Sequence, residues 1–295
     1  MNRGLRPVGL VSVVVPARNA ETTIATQLAA LGRQSYPDPW EVVVVENGSS
    51  DGTGALLRRW QERMPRLRVV TVTEAPGVNR ARNIGCRHAL GEYVLLCDAD
   101  DVVAPGWVAG LVDVLRTCPA AGGALERRLL NGPVALAARP PKKSAALLDT
   151  FGFLPYPAGA NCGFHKEVWS RLGGFDESYR GGGDDTEFFW RAQLAGFRLA
   201  FAPHAVVHYR HRGDAPAIVR QSYGYGRSHP KLYRDFAGAG MPSSPLADAA
   251  GAWWRLLLHA PDLLGAADRR AALLAQVALR AGRVVGSARH RRCYL

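Results

Sequence analysis

The sequence predicts an α/β fold in which a mostly parallel, Rossmann-like sheet is flanked by helices. Short apolar runs alternate with segments of helical periodicity from residue 9 to about residue 117. The apolar runs carry Val and Leu at consecutive positions, which is typical of parallel strands that are buried on both faces. One of these runs leads directly into three carboxylates. Together these observations predict a doubly wound sheet with a site at the carboxyl ends of its strands.

Four strands and four helices are predicted in this first part of the chain. The predicted strands cover residues 10–15, 41–45, 67–73 and 93–97. Apolar stripes at helical spacing indicate the first two helices, and Asn19 is expected to cap the first. The stripes consist of Ile24, Leu28 and Leu31, and of Leu56, Trp60 and Met64. Two further helices are predicted over residues 78–90 and 106–117, and we interpret all these stripes as core.

The next part of the chain is less regular. Residues 119–160 contain six prolines that break any long element, so we expect a ligand-binding segment, a lid or a disordered insertion. Helices are then predicted at residues 166–172, 185–195 and 215–235, with strands at 198–201 and 205–209.

Residues 241–295 are predicted to form a basic, amphipathic helical tail. Pro261 separates two helical stretches, the first of which carries Trp253 and Trp254. Residues 251–295 contain eight Arg against two Asp, a local excess of six positive charges. Such a tail either packs as an amphipathic pair on the main domain or lies on an anionic membrane face. The sequence leaves both interpretations open.

The bulk composition excludes several classes of protein. The 295 residues are 47% hydrophobic and 21% charged, which argues against global disorder. The five cysteines form no Cys-x-x-Cys pair, so neither a disulfide scaffold nor a zinc site is indicated, and a reducing cytoplasm fits best. Arg3 and Arg6 precede an apolar run as in a signal peptide, but Pro16 ends that run without a cleavage pattern. No apolar stretch approaches the length of a transmembrane span.

The net charge of +12 raises the question of a nucleic-acid partner. No helix-turn-helix, zinc-finger or RNA-binding signature accompanies this charge, and we predict no nucleic-acid partner. An anionic membrane surface or a phosphorylated substrate accounts for the charge equally well.

Three acids at the end of the fourth predicted strand carry the most specific chemical signal. The strand runs into Asp98, Ala99, Asp100 and Asp101. In an extended chain, Asp98 and Asp100 point to the same side. Two such carboxylates can hold a ribose hydroxyl and a hard divalent cation that carries a diphosphate. Because Asp clusters also form turns, this motif alone is a weak indication of a ligand site, and the other motifs of the chain are needed to interpret it.

Several motifs occur in the order that is typical of one enzyme family. They are VVVPARN at residues 13–19, VVENGSSDGT at 44–53, ARNIG at 81–85, DADD at 98–101, GGFDE at 173–177 and DD at 184–185. On these motifs, residues 9–235 closely resemble the family-2 glycosyltransferases, which are inverting enzymes with the GT-A fold. The resemblance implies a GT-A domain over residues 1–240, with a nucleotide-binding half at 9–118 and an acceptor-binding, catalytic half at 119–240. The implied reaction moves a sugar from a nucleotide sugar, a UDP-sugar by analogy, to an acceptor hydroxyl in cell-envelope glycan or glycoconjugate synthesis.

The resemblance also implies a set of nucleotide-binding residues. They are Pro16, Ala17, Asn19, Glu46, Arg82, Asp98 and Ala99. Glu46 stands where the family usually has Asp, so its carboxylate arm toward the base is one methylene longer. A plain surface arginine is the alternative for Arg82. We expect Asp51 to cap the second helix and Asn83 to pin backbone rather than to bind sugar.

The implied cofactor is Mn²⁺ or Mg²⁺. Asp100 would bind the metal directly, and His208, at the end of an apolar strand, is preferred as a second ligand over His204 and His211. Asp101 either joins this site or caps the following helix. Arg210 or Arg212 is a candidate for holding the diphosphate.

The family's paired acids are represented by Asp184 and Asp185. The resemblance implies that Asp185 is the catalytic base and that Asp184 orients the acceptor. A helix N-cap is the alternative role for these acids. The glycines at 181–183 would give the preceding loop freedom to close over substrate.

Other functions stay open at this stage. A sugar nucleotidyltransferase normally begins with a Gly-rich phosphate loop, which residues 16–19 do not form. A catalytically lapsed glycan-binding or scaffold protein is disfavoured by the intact Asp98, Asp100 and Asp185. A processive synthase would carry a Gln-x-x-Arg-Trp motif, which the sequence lacks. We expect a cytoplasmic protein, with peripheral contact at the inner face of the cell membrane through residues 251–295 as an open alternative. The sequence predicts no oligomeric state.

Overall fold

The computed structural model describes residues 9–72, 77–140 and 146–295 and contains one eight-stranded sheet. Arg3, Arg6 and the predicted strand end Thr73 lie outside the described residues. The strands are β1 (Val11–Ala17), β2 (Trp40–Asn47), β3 (Leu67–Val72), β4 (Tyr93–Cys97), β5 (Val102–Val103), β6 (Ala120–Glu126), β7 (Asn161–His165) and β8 (Leu199–His208). Their order across the sheet is β3-β2-β1-β4-β7-β6-β8-β5.

Helices cover both faces of this sheet. They are α1 (Ile24–Gly32), α2 (Thr53–Arg63), α3 (Val78–His88), α4 (Trp107–Leu115), α5 (Pro133–Ala138), α6 (Lys166–Arg171), α7 (Asp184–Leu194), α8 (Ala215–Phe236), α9 (Leu246–Leu258) and α10 (Ala267–His290). Successive strand residues point to opposite faces. Val13 and Val15 pack in one core with α1, α2 and α4, whereas Val14 packs in the other with α3, α6 and α7.

The predicted α/β architecture is confirmed. β1 pairs in parallel with β2 and β4, and β2 pairs in parallel with β3. The direction reverses at β7, which is antiparallel to both β4 and β6, and β6 and β8 are again parallel. The carboxyl ends of β1, β2 and β4 therefore meet at one edge of the sheet, where the predicted nucleotide-binding residues follow them.

The interval 119–160 is more regular than the sequence predicts. It contains α5 and β6, and β6 lies inside the sheet between β7 and β8. β6 escapes prediction because it consists largely of Ala and Gly, which have low strand propensity. These small residues are required, since a Cβ on Gly122 would clash with Pro157 and one on Gly123 with Asn161. β7 likewise has no clear sequence signal.

One irregular strand replaces the two strands predicted at 198–201 and 205–209. β8 pairs with β6, but its register shifts between Gly123 and Ala124, whose successive partners are Ala202 and Val206. The residues in between form a bulge, and Pro203, which has no N–H to donate, lies within it. The bulge explains why the sequence pattern is interrupted there.

The tail divides into a packed helix and an exposed one. α10 packs on α8 and α5, where Ala271 and Ala275 are buried with Ala138 and Ile218. The backbones of α8 and α10 approach so closely that a Cβ on Gly226 would clash with the carbonyl oxygen of Leu279 in α10. The packed interpretation of the tail is therefore correct for α10, whereas α9 leaves an apolar face uncovered. The domain boundaries at residues 118 and 240 stay a prediction.

No helix in the described part of the chain is both long enough and apolar enough to span a bilayer.

Candidate active site

Asn19 ties together the loops that follow β1 and β2. Its N–H donates to Ser49 Oγ (3.0 Å), and its Oδ1 accepts from the N–H of Ser50 (2.8 Å). The predicted N-cap role of Asn19 is wrong, because α1 begins only at Ile24, with Thr23 in the cap position. Asn19 instead adopts a left-handed conformation (φ 50°) at the rim of the site.

The ends of β1 and β2 supply Pro16, Ala17 and Glu46. Ala17 and Glu46 are buried, and Pro16 is half-buried. One carboxylate oxygen of Glu46, Oε1, accepts a hydrogen bond from the N–H of Ser49 (2.7 Å), so this oxygen holds the turn after β2. The contact of Glu46 with a base stays a prediction.

The cap position predicted for Asp51 is taken by Gly52, the N-cap of α2, and Asp51 lies one residue before it. Asp51 holds this turn through its side chain. Its Oδ1 accepts from the N–H of Thr53 (3.0 Å), the first residue of α2, and its Oδ2 accepts from the N–H of Glu21 (3.2 Å). Hydrogen bonds, first of all from the Thr53 hydroxyl, lower the pKa of Asp51. Asp51 therefore stabilises the loop rather than facing a ligand.

Three carboxylates lie together after β4. Ligand oxygens of Asp98, Asp100 and Asp101 all lie within 4.8 Å of one another. Asp101 is buried, its Oδ1 accepts from the N–H of Arg210 (2.6 Å), and its buried Oδ2 has no hydrogen-bond partner among the described residues. The alternative that Asp101 caps the next helix is wrong, because α4 begins at Trp107.

This acid cluster fits a hard divalent cation. Burial, followed by the charges of Asp98 and Asp100, raises the pKa of Asp101 well above its usual range. Burial also raises the pKa of Asp98 to about 6, against the opposing effect of Arg82. Carboxylate oxygens are the ligands that Mg²⁺ and Mn²⁺ prefer, and a cation would offset both the crowding of charge and the unpartnered Oδ2 of Asp101.

Two arginines after β8 contact the same loop. Arg212 Nη1 lies 2.9 Å from Asp100 Oδ2, and Arg210 Nε donates to the carbonyl oxygen of Asp100 (2.8 Å). The two candidates for holding a diphosphate are therefore both at the loop that carries the acid cluster.

The structure places His208 near the acid cluster but not within it. His208 pairs with Val102, which directly follows Asp101, and its Nδ1 lies 3.1 Å from Glu126 Oε2. Within the described ranges, the group of potential metal ligands contains the three aspartates alone. His204 is exposed, whereas His211 is buried. The role of His208 as a metal ligand stays a prediction.

Arg82 joins the acid cluster to the predicted catalytic acids. It lies on α3 with 5% of its side chain exposed, so the surface alternative is wrong. Its Nη1 forms an ion pair with Asp184 Oδ2, and its Nη2 lies 3.7 Å from Asp98 Oδ1. Burial acts to lower the pKa of Arg82, but Asp184, Asp98 and Asp185 raise it above its ordinary value. One buried cation thus neutralises acids from distant parts of the chain.

Asp185 is fixed at the beginning of α7. Its Oδ2 accepts from the N–H of Gly159 (2.8 Å), and its Oδ1 accepts from the N–H of Thr186 (2.7 Å). Burial, followed by the charge of Asp184, raises the pKa of Asp185. The carboxylate is therefore held in position and made more basic, as a general base requires. The N-cap of α7 is Gly183, in a left-handed conformation (φ 77°), so neither acid is the cap.

Asn83 pins the loop at residues 173–177, as predicted. Its Nδ2 donates to the carbonyl oxygen of Phe175 (2.9 Å), and its Oδ1 accepts from the N–H of Phe175 (2.8 Å) and from Trp169 Nε1 (3.1 Å).

Replacing Asn83 with alanine is expected to lower the free energy of unfolding by about 1–3 kcal/mol, because buried polar groups of Phe175 and Trp169 lose their partners. Denaturant unfolding of the two proteins measures the difference. A variant as stable as the wild type would show that water or other groups replace Asn83.

Several residues around the site carry no sequence signal. Gly159, which lies 26 positions before Asp185, reaches it only through the tertiary fold. Tyr225 of α8 lies against the loop before α7, since a Cβ on Gly182 would clash with its ring. The guanidinium of Arg139 stacks on Tyr225, 4.4 Å from the ring centroid.

Sequence comparison identifies relatives over most of the chain. The profile of glycosyl transferase family 2 matches residues 12–173, and that of glycosyl transferase family group 2 matches residues 144–278. The glycosyltransferase AglE of Haloferax volcanii is 28% identical over 226 residues, which are 76% of this chain and 74% of AglE. The UDP-Glc:α-D-GlcNAc-diphosphoundecaprenol β-1,3-glucosyltransferase WfgD of Escherichia coli is 30% identical over 105 residues, 36% of this chain and 39% of WfgD. The match to the probable glycosyltransferase YdaM of Bacillus subtilis spans only 50% of that protein.

Solved structures share the same architecture. The mannosyltransferase PcManGT from Pyrobaculum calidifontis, in complex with GDP-Man and Mn²⁺, has a TM-score of 0.66 at 26% identity, over 95% of this chain and 87% of PcManGT. TarS 1–349 of S. aureus, in complex with UDP-GlcNAc, shares the fold with a TM-score of 0.57 at 17% identity, over 96% of this chain and 92% of TarS 1–349. With the family profile matching more than half of its residues, this chain belongs to glycosyl transferase family 2 and is a glycosyltransferase of the GT-A fold.

Proposed function

We propose that this chain is a metal-dependent, inverting enzyme that moves a sugar from a nucleotide sugar to an acceptor hydroxyl in cell-envelope glycan or glycoconjugate synthesis. One observation carries the proposal: Arg82 joins the carboxylates after β4 to Asp184 and Asp185 in a single cluster. The complex of PcManGT with GDP-Man and Mn²⁺ and the reaction named for WfgD support a nucleotide-sugar donor.

The donor would lie at the carboxyl ends of β1, β2 and β4. We assign its nucleotide to Pro16, Ala17, Asn19, Glu46, Arg82, Asp98 and Ala99. Asp100 is the proposed metal ligand, together with Asp101 and His208. A bound Mn²⁺ or Mg²⁺ would neutralise the diphosphate leaving group. Because the side chain of Glu46 is one methylene longer than the usual Asp, the identity of the nucleotide base is open, and both UDP and GDP are candidates.

The acceptor would lie beside Asp185. Its hydroxyl gives a proton to the Asp185 carboxylate and attacks the anomeric carbon from the face opposite the nucleotide. Asp184 is paired with Arg82, so we assign it to hold that guanidinium beside Asp185.

Replacing Asp100 with alanine is expected to weaken metal-dependent nucleotide binding by at least about 10-fold, the scale seen when a metal site loses a supporting group. Thermal shift with UDP, GDP and nucleotide sugars, with and without Mn²⁺ or Mg²⁺, measures the effect, since ligands that bind the native state raise the melting temperature. Asp113→Ala, on the exposed surface of α4, is the matched control. Wild-type binding that is indifferent to added metal would remove the metal from the proposal.

Product analysis separates the rival functions. A glycosyltransferase releases a nucleoside diphosphate from the nucleotide sugar, whereas a sugar nucleotidyltransferase forms the nucleotide sugar from a nucleoside triphosphate and a sugar phosphate. A lapsed binding protein does neither. The loop at 16–19 has no glycines that could bind a triphosphate, which disfavours a sugar nucleotidyltransferase.

We also propose that α9 and the following 3-10 turn (Ala260–Leu264) contact an anionic membrane surface. At helical spacing, the outward face of α9 is wholly apolar, and its buried side carries Ala249 and Ala252. The exposed apolar side chains include Trp254 (62%), Leu257 (65%), Leu258 (62%) and Leu264 (95%). Arg255, within α9, is also exposed and matches anionic headgroups in charge.

The double variant Trp254→Glu, Leu258→Glu is expected to bind vesicles of phosphatidylcholine and phosphatidylglycerol at least about 100-fold more weakly than the wild type, because each apolar side chain contributes about 1.5–3 kcal/mol when it is buried. Vesicle co-sedimentation measures this. The control Leu90→Glu changes an equally exposed leucine outside the tail and should bind like the wild type. Equal sedimentation of all three proteins, or self-association of the wild type through α9, would overturn the membrane proposal.

A further inference from the structure

A second group of cationic and imidazole side chains lies beside the proposed active site, and no carboxylate neutralises it. We call Arg127, Arg139 and His211 the arginine pocket; they follow β6, α5 and β8 respectively. Both arginines are half-buried, and within the described ranges neither forms an ion pair with a carboxylate. Half-buried like charges without a counter-charge are unfavourable unless an anion binds between them.

Asn131 fastens the backbone of the arginine pocket. Its Nδ2 donates to the carbonyl oxygens of Arg127 (2.9 Å) and Tyr209 (2.6 Å), and its Oδ1 accepts from the N–H of His211 (2.7 Å). The backbones of Arg127 and His211 are therefore held together by Asn131.

The position of Arg139 connects the pocket to the catalytic acids. Its guanidinium stacks on Tyr225, and Tyr225 packs against Gly182 in the loop that leads into Asp184 and Asp185. α5, which ends just before Arg139, is held by α8 and α10 through the buried cluster around Ala138.

His211 supplies the independent sign of a ligand. Its residue surface is 9% exposed, and its buried Nε2 has no hydrogen-bond partner among the described residues. Burial, followed by the charges of Arg139 and Arg127, lowers the pKa of His211 to about 4, so the ring is neutral near pH 7. A neutral imidazole with a free ring nitrogen beside two guanidiniums can donate a hydrogen bond to a phosphate oxygen.

We infer that the arginine pocket binds a phosphate or diphosphate of the acceptor, so that the acceptor class is a hydroxyl carried on a phosphorylated compound. Guanidiniums bind phosphate in paired, charge-assisted hydrogen bonds. The inference rests on the proposed function, because it needs Asp185 to mark the acceptor hydroxyl. The donor diphosphate has its own candidates at Asp100, where Arg210 and Arg212 already lie.

Calorimetric titration with decyl diphosphate, below its micelle concentration, tests this assignment. The titrations are made with the full chain, in the presence and absence of UDP or GDP with Mg²⁺. We expect binding that persists when nucleotide is present and that falls about 10- to 100-fold in both Arg127→Gln and Arg139→Gln, since each removes a hydrogen bond to a charged group. Arg128→Gln, an exposed neighbour, is the matched control, and decyl glucoside controls for the alkyl chain. Melting temperatures verify that the variants fold, and Arg139→Lys should retain part of the affinity.

Two outcomes would overturn the inference. Unchanged decyl diphosphate binding in both variants would show that the arginines bind no acceptor phosphate. Weakened nucleotide binding with unchanged decyl diphosphate binding would assign them to the donor. Failure of the proposed function would give a different result. In that case no nucleotide would bind in the presence of metal, whether or not decyl diphosphate binds.

Discussion

Replacing Asp185 with asparagine is expected to lower turnover by about 10²–10⁴-fold, the usual contribution of a general base, while nucleotide binding stays close to that of the wild type. The side chain keeps its size, and its one remaining oxygen can accept from the N–H of either Gly159 or Thr186, but the neutral amide can no longer take a proton from an acceptor hydroxyl. Steady-state transfer or sugar-nucleotide hydrolysis measures the rate, and thermal shift measures nucleotide binding.

The control for this variant is Asp113→Asn, which makes the same change on the exposed surface of α4. Its turnover should equal that of the wild type. If Asp185→Asn transfers sugar at a near-normal rate, Asp185 is not the base, and the role passes to another group at the beginning of α7.

Replacing Arg82 with methionine is expected to lower the free energy of unfolding by about 3 kcal/mol, at the low end of the range for breaking a buried ion pair. The low end applies because 29% of the Asp98 side chain and 13% of the Asp184 side chain are exposed. Without the guanidinium, both carboxylates keep their desolvation cost and lose their shared counter-charge. Denaturant unfolding at neutral pH measures the change.

Three further proteins make the Arg82 result specific: Arg87→Met, Asp184→Asn, and the double variant of Arg82 and Asp184. Arg87→Met changes an exposed arginine on the same helix and should leave stability unchanged. The double variant Arg82→Met, Asp184→Asn should recover part of the loss, because one of the stranded charges is removed. A double variant whose loss equals the sum of the two single losses would show that the two side chains are not coupled.

The fold was predictable where the sequence pattern is local. The strand predicted at residues 93–97 has the same bounds in the structure, since five apolar residues between polar turns admit one interpretation. β6 was not predictable, because its Ala and Gly residues are chosen for close packing against Pro157 and Asn161, which are distant in sequence. Asn19 was wrongly predicted to cap α1, because its actual partners lie on the loop after β2, which the local sequence does not reveal.

The site divides in the same way. The three carboxylates after β4 are adjacent in sequence, so their clustering follows from a short motif. The contact of Arg82 with Asp184 joins residues 102 positions apart, and only the tertiary fold brings α3 and the beginning of α7 together. The arginine pocket is even harder to predict from the sequence, since its members follow three different elements and no motif connects them.

The close packing of α10 on α8 and α5 supports the helix that precedes Arg139, and so links α10 to the proposed acceptor site. α5 has only six residues, too few to keep its direction without neighbours. Removing α10 would leave Ala138 and Ile218 facing water and would release the support from which Arg139 projects. If Arg139 binds the acceptor as inferred, removing α10 would change acceptor selection before it changed donor affinity. α10 would then act as a structural support of the acceptor site.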